Sequence, residues 1–526
     1  MTPAVRIETE RLGGSALSQL AQAGEAPSEW YPPRPSSPEE WRERIEAVRS
    51  TATRDWQQRL SEAFGPSSSS VAARRLSRVA SENGIVVTTG QQAGLFGGPV
   101  YTWSKAMSAL ALADAIETAT GIPTAAVFWA ATDDSDLAEA AWTILAGRDG
   151  PERIALDVVA AEGTRMSDVP LPDMTGLLAR LEAASGSVAD PRPLEVTREA
   201  WRRPRTIGGA YVTMLRGLLE PMGVTVLDAA HEAVSHAAHS SLLRALHERE
   251  RVAAALAERG RALRAAGHQP QVSEVGELTL VFQRRDGRRS RVSRGHAAVV
   301  AAGAASGSLS PNVLLRPVVE RALLPTVAYV AGPAELAYFA QVSAVAAALS
   351  MELPLAVPRW STTLVEPNVA EILDRHGLSA AEFADPHAVE SRLARGAWPG
   401  EVAAELARLR RDLSNGMATV RHTLAGKDGL VPLTAVDGAA RGMEWRIGRL
   451  ERRITAAVKA RDSALMRDLR VARGALYPDG MRQERAVNLL PILARQGLGL
   501  LGRMLAEAGS HARGLAGMAS AAGAAP

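Results

Sequence analysis

Glycines at 90, 94, 97 and 98 follow the apolar β-branched run Ile85-Val86-Val87 and precede Lys105 and a helix-like stretch, Met107 to Ile116. A strand, a glycine-rich turn and a helix together offer backbone N–H groups to a phosphate or carboxylate. The spacing is neither G-x-G-x-x-G nor G-x-x-x-x-G-K-[ST]. Two readings follow: an anion or nucleotide site, or a structural strand-to-helix turn. Lys105 is one of three lysines, with Lys427 and Lys459, in a chain whose other cations are arginines. Its compact ammonium suits phosphate or carboxylate, although many lysines simply sit solvated on a first helical turn.

A second cluster is acidic. The apolar run Thr124–Ala131 ends in Thr132, Asp133, Asp134, Ser135 and Asp136. Acids just past a buried strand lie where open α/β sheets bind ligands, and they also cap helices. A third block has a strand over Thr326–Val330, the turn Gly332-Pro333, then Glu335 and Tyr338 at i, i+3 on a first helical turn. It repeats the strand, Gly-Pro, helix order of the first. His236 and His239 are also i, i+3, but no acid completes a ligand set, so no metal site is expected. The arginines of 278–292, a hairpin turning at Asp286-Gly287, could bind phosphate or form a solvated edge.

These groups need elements to position them. Continuous apolar runs at 85–89, 124–131, 224–227 and 326–330 predict strands buried on both faces of a parallel sheet. Residues 1–38, rich in Pro, Gly and Ser, read as an extended arm. Pro38 opens a helix expected to run to about Phe64, and another covers Val71–Ser81. Short strands at 142–145 and 153–158, a helix near 174–184 and one over 207–219 follow, then a long helical region over 229–266. Apolar residues from Leu406 to Leu424 and from Met443 to Leu465 step by threes and fours, predicting an antiparallel helical hairpin split by 426–438. Arg441, Arg446, Arg449, Arg452 and Arg453 on its second arm read as a solvated face more readily than as an RNA surface. The expected segments are 1–80, arm and helices; 81–365, the core; 366–472, the helical arm; 473–513, a C-terminal helical segment on the core; and 514–526, a disordered tail.

Composition sets bounds. The chain has 526 residues, 46% hydrophobic and 22% charged, with a formal charge of +3, so two or three units are expected and nucleic acid is not an expected partner. The absence of cysteine excludes disulfides and protein thiolate chemistry. With no basic region and apolar core near Met1, and no long uncharged run, a cytoplasmic protein without membrane association is expected.

The motifs together resemble the bacillithiol-biosynthesis cysteine-adding family, BshC. The resemblance lies in residues 89–102 (Thr-Gly-Gln-Gln-Ala-Gly-Leu-Phe-Gly-Gly-Pro-Val-Tyr-Thr) with Lys105, and in Val127-Phe128-Trp129-Ala130 with the acids after it. It continues through Ser310-Pro311-Asn312-Val313, Arg316-Pro317, Leu324-Pro325, residues 332–338 and Val357-Pro358-Arg359, and closes with Gln483-Glu484-Arg485 and 488–491. It implies a Rossmann-like core similar to class I nucleotidyl transferases, inserted connecting segments, and a coiled-coil arm used for homodimerisation. It implies a ligase that joins cysteine to the amine of glucosaminyl malate, the last step of bacillithiol formation, with ATP as cofactor and Mg²⁺ as an option. Two departures stand out: Ser135 replaces a family histidine, and Gly97 a family threonine.

On this resemblance Lys105, Asp134, Asp136, Glu335 and Tyr338 are the expected catalytic residues. Gly90, Gln91, Gln92, Gly94, Gly97, Gly98, Tyr101, Asn312 and Arg316 are expected to bind substrate or nucleotide. The backbone around Gly94–Gly98 would cradle phosphate or malyl carboxylates, and Lys105 would neutralise developing charge. Asp134 and Asp136 would hold Mg²⁺ or the cysteine ammonium. Glu335 and Tyr338 would orient sugar or amine, and Arg316 would fork onto a carboxylate. The alternatives are a nucleotide-binding protein without catalysis, which the loss of the histidine favours, and a synthetase-like RNA binder.

Overall fold

The computed structural model describes residues 4–66, 70–147, 150–202, 205–273, 276–425 and 430–518. The four apolar runs become strands of one parallel sheet, β1 (Ile85–Gln92), β2 (Thr124–Ala131), β3 (Val224–Asp228) and β4 (Thr326–Ala331), which a fifth strand not read from the sequence, β5 (Leu355–Pro358), joins. Their spatial order is β5-β4-β1-β2-β3. Side chains alternate between two cores. Ile85, Val87, Ala126 and Phe128 face one, and Val86, Ala125, Val127 and Trp129 the other. Both faces are covered, which is why these strands read as continuous apolar runs rather than alternating ones.

Helix α1 (Val100–Thr120) follows β1 and packs in the first core through Trp103, Met107 and Leu110, as does α2 (Ile207–Leu219). Helix α3 (Pro333–Leu349) follows β4 and packs in the second through Leu336, Phe339 and Val342. The chain builds outward from β1 to β2 and β3, then returns to place β4 on the other side of β1. The strand order therefore reverses between β1 and β4, and such a switch point opens a crevice at the carboxyl ends of the strands.

Several expectations are corrected. Residues 1–38 are not simply extended: Arg6–Thr9 pairs with Thr362–Val365, Ala16–Ala23 is helical, and Trp30 and Tyr31 are buried. The helix from Pro38 stops at Thr51, and two short helices, Trp56–Arg59 and Ser61–Phe64, follow. The break lets Trp41, Ile45 and Val48 enter one core while Trp56 and Leu60 enter the other. The region 229–266 is two helices, Glu232–His247 and Arg249–Ala265. The expected tail is helical to Leu515 with Ala516 buried, and 519–526 lie outside the described residues.

Two compact units emerge: 1–364 with 483–526, and 365–482. Within the second, α4 (Gly400–Ala425) and α5 (Leu433–Arg461) run antiparallel. Arg410 is bidentate to Glu451 at 2.8 Å in each contact, and Arg421 meets Asp437 at 3.0 Å. The apolar repeat does not continue unbroken to Leu465. Asp462 ends α5 and caps α6 (Ser463–Leu476), accepting from the Leu465 N–H at 2.9 Å. Leu469, Ala472 and Leu476 of α6 then pack with Val369 and Leu373. The boundary expected at 472 therefore falls inside a helix of this unit. The segment around Gly426–Lys427 lies outside the described residues.

Candidate active site

A cleft of about 500 Å³ opens at the switch point, lined by the ends of β1 and β4 and the segments that follow β2 and β4. At its floor, α1 and α3 reach across the sheet edge from opposite faces. Lys105 of α1, 3% exposed, meets the Glu335 carboxylate of α3 at 2.6 Å. Lys105 Nζ also donates to the Gly90 carbonyl at 2.7 Å and Gln91 Oε1 at 3.1 Å, so partners occupy all three N–H directions. Glu335 accepts from the Tyr329 hydroxyl and the Gly332 N–H, both at 2.6 Å. Burial pushes the Glu335 carboxyl up, but Lys105 and these two donors bring it below the ordinary carboxylate value. Burial lowers the Lys105 ammonium, with Arg359 and Arg316 adding to the effect against Glu335.

The network continues outward. Arg316 donates to the Tyr329 hydroxyl at 2.9 Å and to the fully buried Glu320 at 2.5 Å. Burial pushes the Glu320 carboxyl up despite that arginine. Tyr338 lines the same wall, its hydroxyl raised by burial and by Glu335. Gln91 donates to the Tyr101 hydroxyl at 2.8 Å, and Gln92 donates to Asp134. Asn312 lines the cleft while its side-chain oxygen accepts from the N–H groups of Leu314 and Leu315 at 3.2 and 3.0 Å.

Most of the expected residues therefore converge: Gly90, Gln91, Gln92, Tyr101, Lys105, Asp134, Asn312, Arg316, Glu335 and Tyr338 all line one cleft. Four do not. Asp136 is exposed and caps the short helix Leu137–Ala140, accepting from the Glu139 N–H at 3.0 Å. Gly94, Gly97 and Gly98 form a turn folded into the core, away from the cleft lining. The Gly97, Gly98 and Val100 N–H groups bond to the carbonyls of Gly94, Leu95 and Val487. Asn488 Nδ2 donates to the carbonyls of Leu95, Phe96 and Gly98 at 3.3, 3.0 and 3.3 Å. The glycines serve packing. A Cβ at Gly94 would lie 2.9 Å from the Gly98 Cα, and Gly97 has φ +86° with a Cβ position 2.6 Å from the Met214 methyl. Three N–H groups of the turn are thus taken within the protein, and its glycines lie off the cleft lining, where the expected phosphate cradle would need them.

Sequence reading did not single out several cleft residues. Arg289, on the hairpin strand Arg288–Ser293, stacks on Phe282 at 4.0 Å and donates to Ser310 and the Pro311 carbonyl at 3.0 and 2.6 Å. It also lies 3.6 Å from Asp134. Arg359, 2% exposed, bonds to Glu484 at 2.7 Å. Tyr329, Glu139 and Arg485 also line it. Arg359 and Arg485 stand within motif blocks, but nothing in their spacing marks them. Arg289 looked like one of several arginines on a hairpin edge. Among the described residues, no three His, Asp or Glu side chains converge as metal ligands, and no helix is long and apolar enough to cross a membrane.

Comparison with known proteins agrees with this architecture. The family model for the bacillithiol biosynthesis BshC N-terminal Rossmann-like domain matches residues 7–360, and that for the BshC C-terminal coiled-coil domain matches 362–514. A relative from Koribacter versatilis, named "Putative cysteine ligase BshC", is 33% identical over 470 residues, 86% of each chain. One of the same name from Solibacter usitatus is 31% identical over 447 residues, 82% of this chain and 83% of its own. Another from Symbiobacterium thermophilum is 27% identical over 549 residues, 95% of this chain and 98% of its own.

Proposed function

The chain belongs to the BshC family of bacillithiol biosynthesis, and from that premise we propose that it is a ligase that joins the carboxyl group of cysteine to the amine of glucosaminyl malate, using ATP. The observation that supports this reading is the charge-matched cleft at the switch point. Ammonium, guanidinium and carboxylate groups from both halves of the sheet are held there by buried partners, a setting suited to substrates carrying both amines and carboxylates.

Amide formation joins the amine nitrogen to the carboxyl carbon, expels one carboxyl oxygen on a leaving group, and releases a proton from the amine. The protein's part is orientation. Lys105 and Glu335 act as a fixed pair that sets Gln91 and the Gly90 carbonyl on one side and Tyr329 with Arg316 on the other. Preorganised donors of this kind need no rearrangement as charge develops. ATP would supply carboxyl activation. The cleft volume suits a ligand of nucleotide size, but the glycine turn lies off the cleft lining and the Lys105 ammonium already has three partners, so no step is assigned to them.

Purified protein with cysteine, glucosaminyl malate, ATP and Mg²⁺ is expected to yield bacillithiol by mass spectrometry, and omission of ATP to abolish it. No product, together with unchanged thiol levels in a deletion strain, would overturn the ligase reading. We further propose a homodimer through the helical hairpin. Leu409, Met443 and Leu450 of its apolar repeat remain 46–47% exposed, and a second copy would cover them.

A further inference from the structure

Most charges of the cleft are paired within the protein, but not all. Lys105 is matched by Glu335, Arg316 by Glu320, Arg359 by Glu484, and Arg289 lies against Asp133 and Asp134. Two charged cleft residues remain without an ion-pair partner among the described residues, the Arg485 guanidinium and the Glu139 carboxylate. Both are exposed at the rim. Arg485 is near enough to act electrostatically on the Glu139 carboxyl, yet the two form no ion pair. Both also neighbour Tyr101, with the Arg485 guanidinium 5.9 Å from the centre of the ring and Glu139 acting on its hydroxyl.

Each is carried on backbone that its neighbours in the chain anchor. Glu139 sits on the helical turn that Asp136 caps. Arg485 follows Gln483, whose amide bonds both the N–H and the carbonyl of Leu364 at 2.7 and 2.8 Å, and Glu484, which accepts from Arg359 and Ser361. Their separation is therefore a property of the fold. A cation and an anion on one cleft, neither with an ion-pair partner among the described residues, match the two charges of a small zwitterion, whose groups would complete both pairs. A polyanion would meet the Asp134 and Glu139 carboxylates of the same lining, and like charges there oppose it. In the wall beside them, the Trp129 indole N–H is buried without a partner among the described residues.

We propose that Arg485 and Glu139 together recognise the zwitterionic end of the amino-acid substrate, the guanidinium taking the α-carboxylate and Glu139 the α-ammonium. This rests on the ligase reading and deepens it. It moves the ammonium contact from Asp134 and Asp136, which have partners within the protein, and gives both charges to residues without an ion-pair partner among the described residues. Glucosaminyl malate carries an amine and carboxylates on separate parts of its structure, so the same chemistry could come from either substrate, and binding must distinguish them.

The test is calorimetric titration of full-length protein, without ATP, using L-cysteine, cysteine methyl ester, N-acetylcysteine and glucosaminyl malate as separate probes. Wild type is expected to bind cysteine about tenfold or more tightly than either blocked analogue, the effect of losing one charge-assisted contact. Arg485→Gln is expected to weaken cysteine about tenfold or more while leaving the methyl ester unchanged. Glu139→Gln should weaken cysteine similarly and leave N-acetylcysteine unchanged. Both side chains are exposed, and unfolding curves matching wild type would confirm that the fold is intact. Cysteine binding that is absent in wild type, or unchanged in both variants, overturns the proposal, as does weakening confined to glucosaminyl malate. Product formation separates the two readings: bacillithiol made with an unchanged KM for cysteine in Arg485→Gln sinks this inference alone, whereas absent product with variant-sensitive cysteine binding sinks the ligase reading alone.

Discussion

Lys105 has its three donor directions filled by Gly90, Gln91 and Glu335, so its removal leaves a buried carboxylate unpaired. Lys105→Ala should cost about 3–5 kcal/mol of stability and cut turnover, measured by denaturant unfolding beside the product assay. In the double variant Lys105→Ala/Glu335→Ala the stability losses should sum to less than the two singles, because the orphaned charge is gone. Equal stability in Lys105→Ala would mean that the pair is not formed. Glu139 carries a second prediction at this scale. Partial enclosure of its carboxyl, with Asp136 and Asp134 nearby, raises it above the ordinary 4.5, while Arg485 and Lys105 oppose the rise. Below its raised pKa the group is neutral and no longer attracts an ammonium. Cysteine affinity should therefore fall on acidification at a higher pH than an ordinary glutamate would give, and this limb should be absent in Glu139→Gln.

The turn after β1 shows how an element can carry a ligand-like motif for packing reasons. Its glycines allow close backbone approach, and Asn488, from the far end of the chain, ties three of its carbonyls together. Gly94→Ala and Asn488→Ala are each expected to cost about 1–3 kcal/mol, with activity falling because the turn sets the start of α1 and hence Tyr101 and Lys105. ATP affinity that drops far more than stability in Gly94→Ala would restore the phosphate-cradle reading. The helix Arg192–Arg202 shows the opposite case, an element that sequence reading passed over. Pro191 and Pro193 stand at its start, where proline is accepted in a first helical turn, and the helix buries Trp201 against Phe96 with ring centres 5.2 Å apart.

At the scale of the molecule, the helical hairpin leaves part of its apolar repeat uncovered because two helices can bury only one seam. Leu406 and Ile447 are buried between them, while Leu409 and Leu450 remain exposed. Leu409→Glu/Leu450→Glu should convert a dimer to a monomer in sedimentation experiments without loss of helical signal. A wild-type monomer would remove the dimer from the proposal. The arginines at 441, 446, 449, 452 and 453 are exposed on the same helix.

The sequence by itself determined the parallel sheet, because strands covered on both faces must be apolar throughout, and the helical hairpin, because its repeat has the period of a helix. It also determined most of the cleft, since residues at the carboxyl ends of β1, β2 and β4 are gathered wherever those strands lie side by side. Only the tertiary structure decided which charges are matched. Pairing depends on groups brought together from distant parts of the chain: Arg359 with Glu484, and Arg289 with Asp134. The same long-range packing closed the glycine turn against Asn488 and left Arg485 and Glu139 without an ion-pair partner among the described residues, which no local spacing encodes.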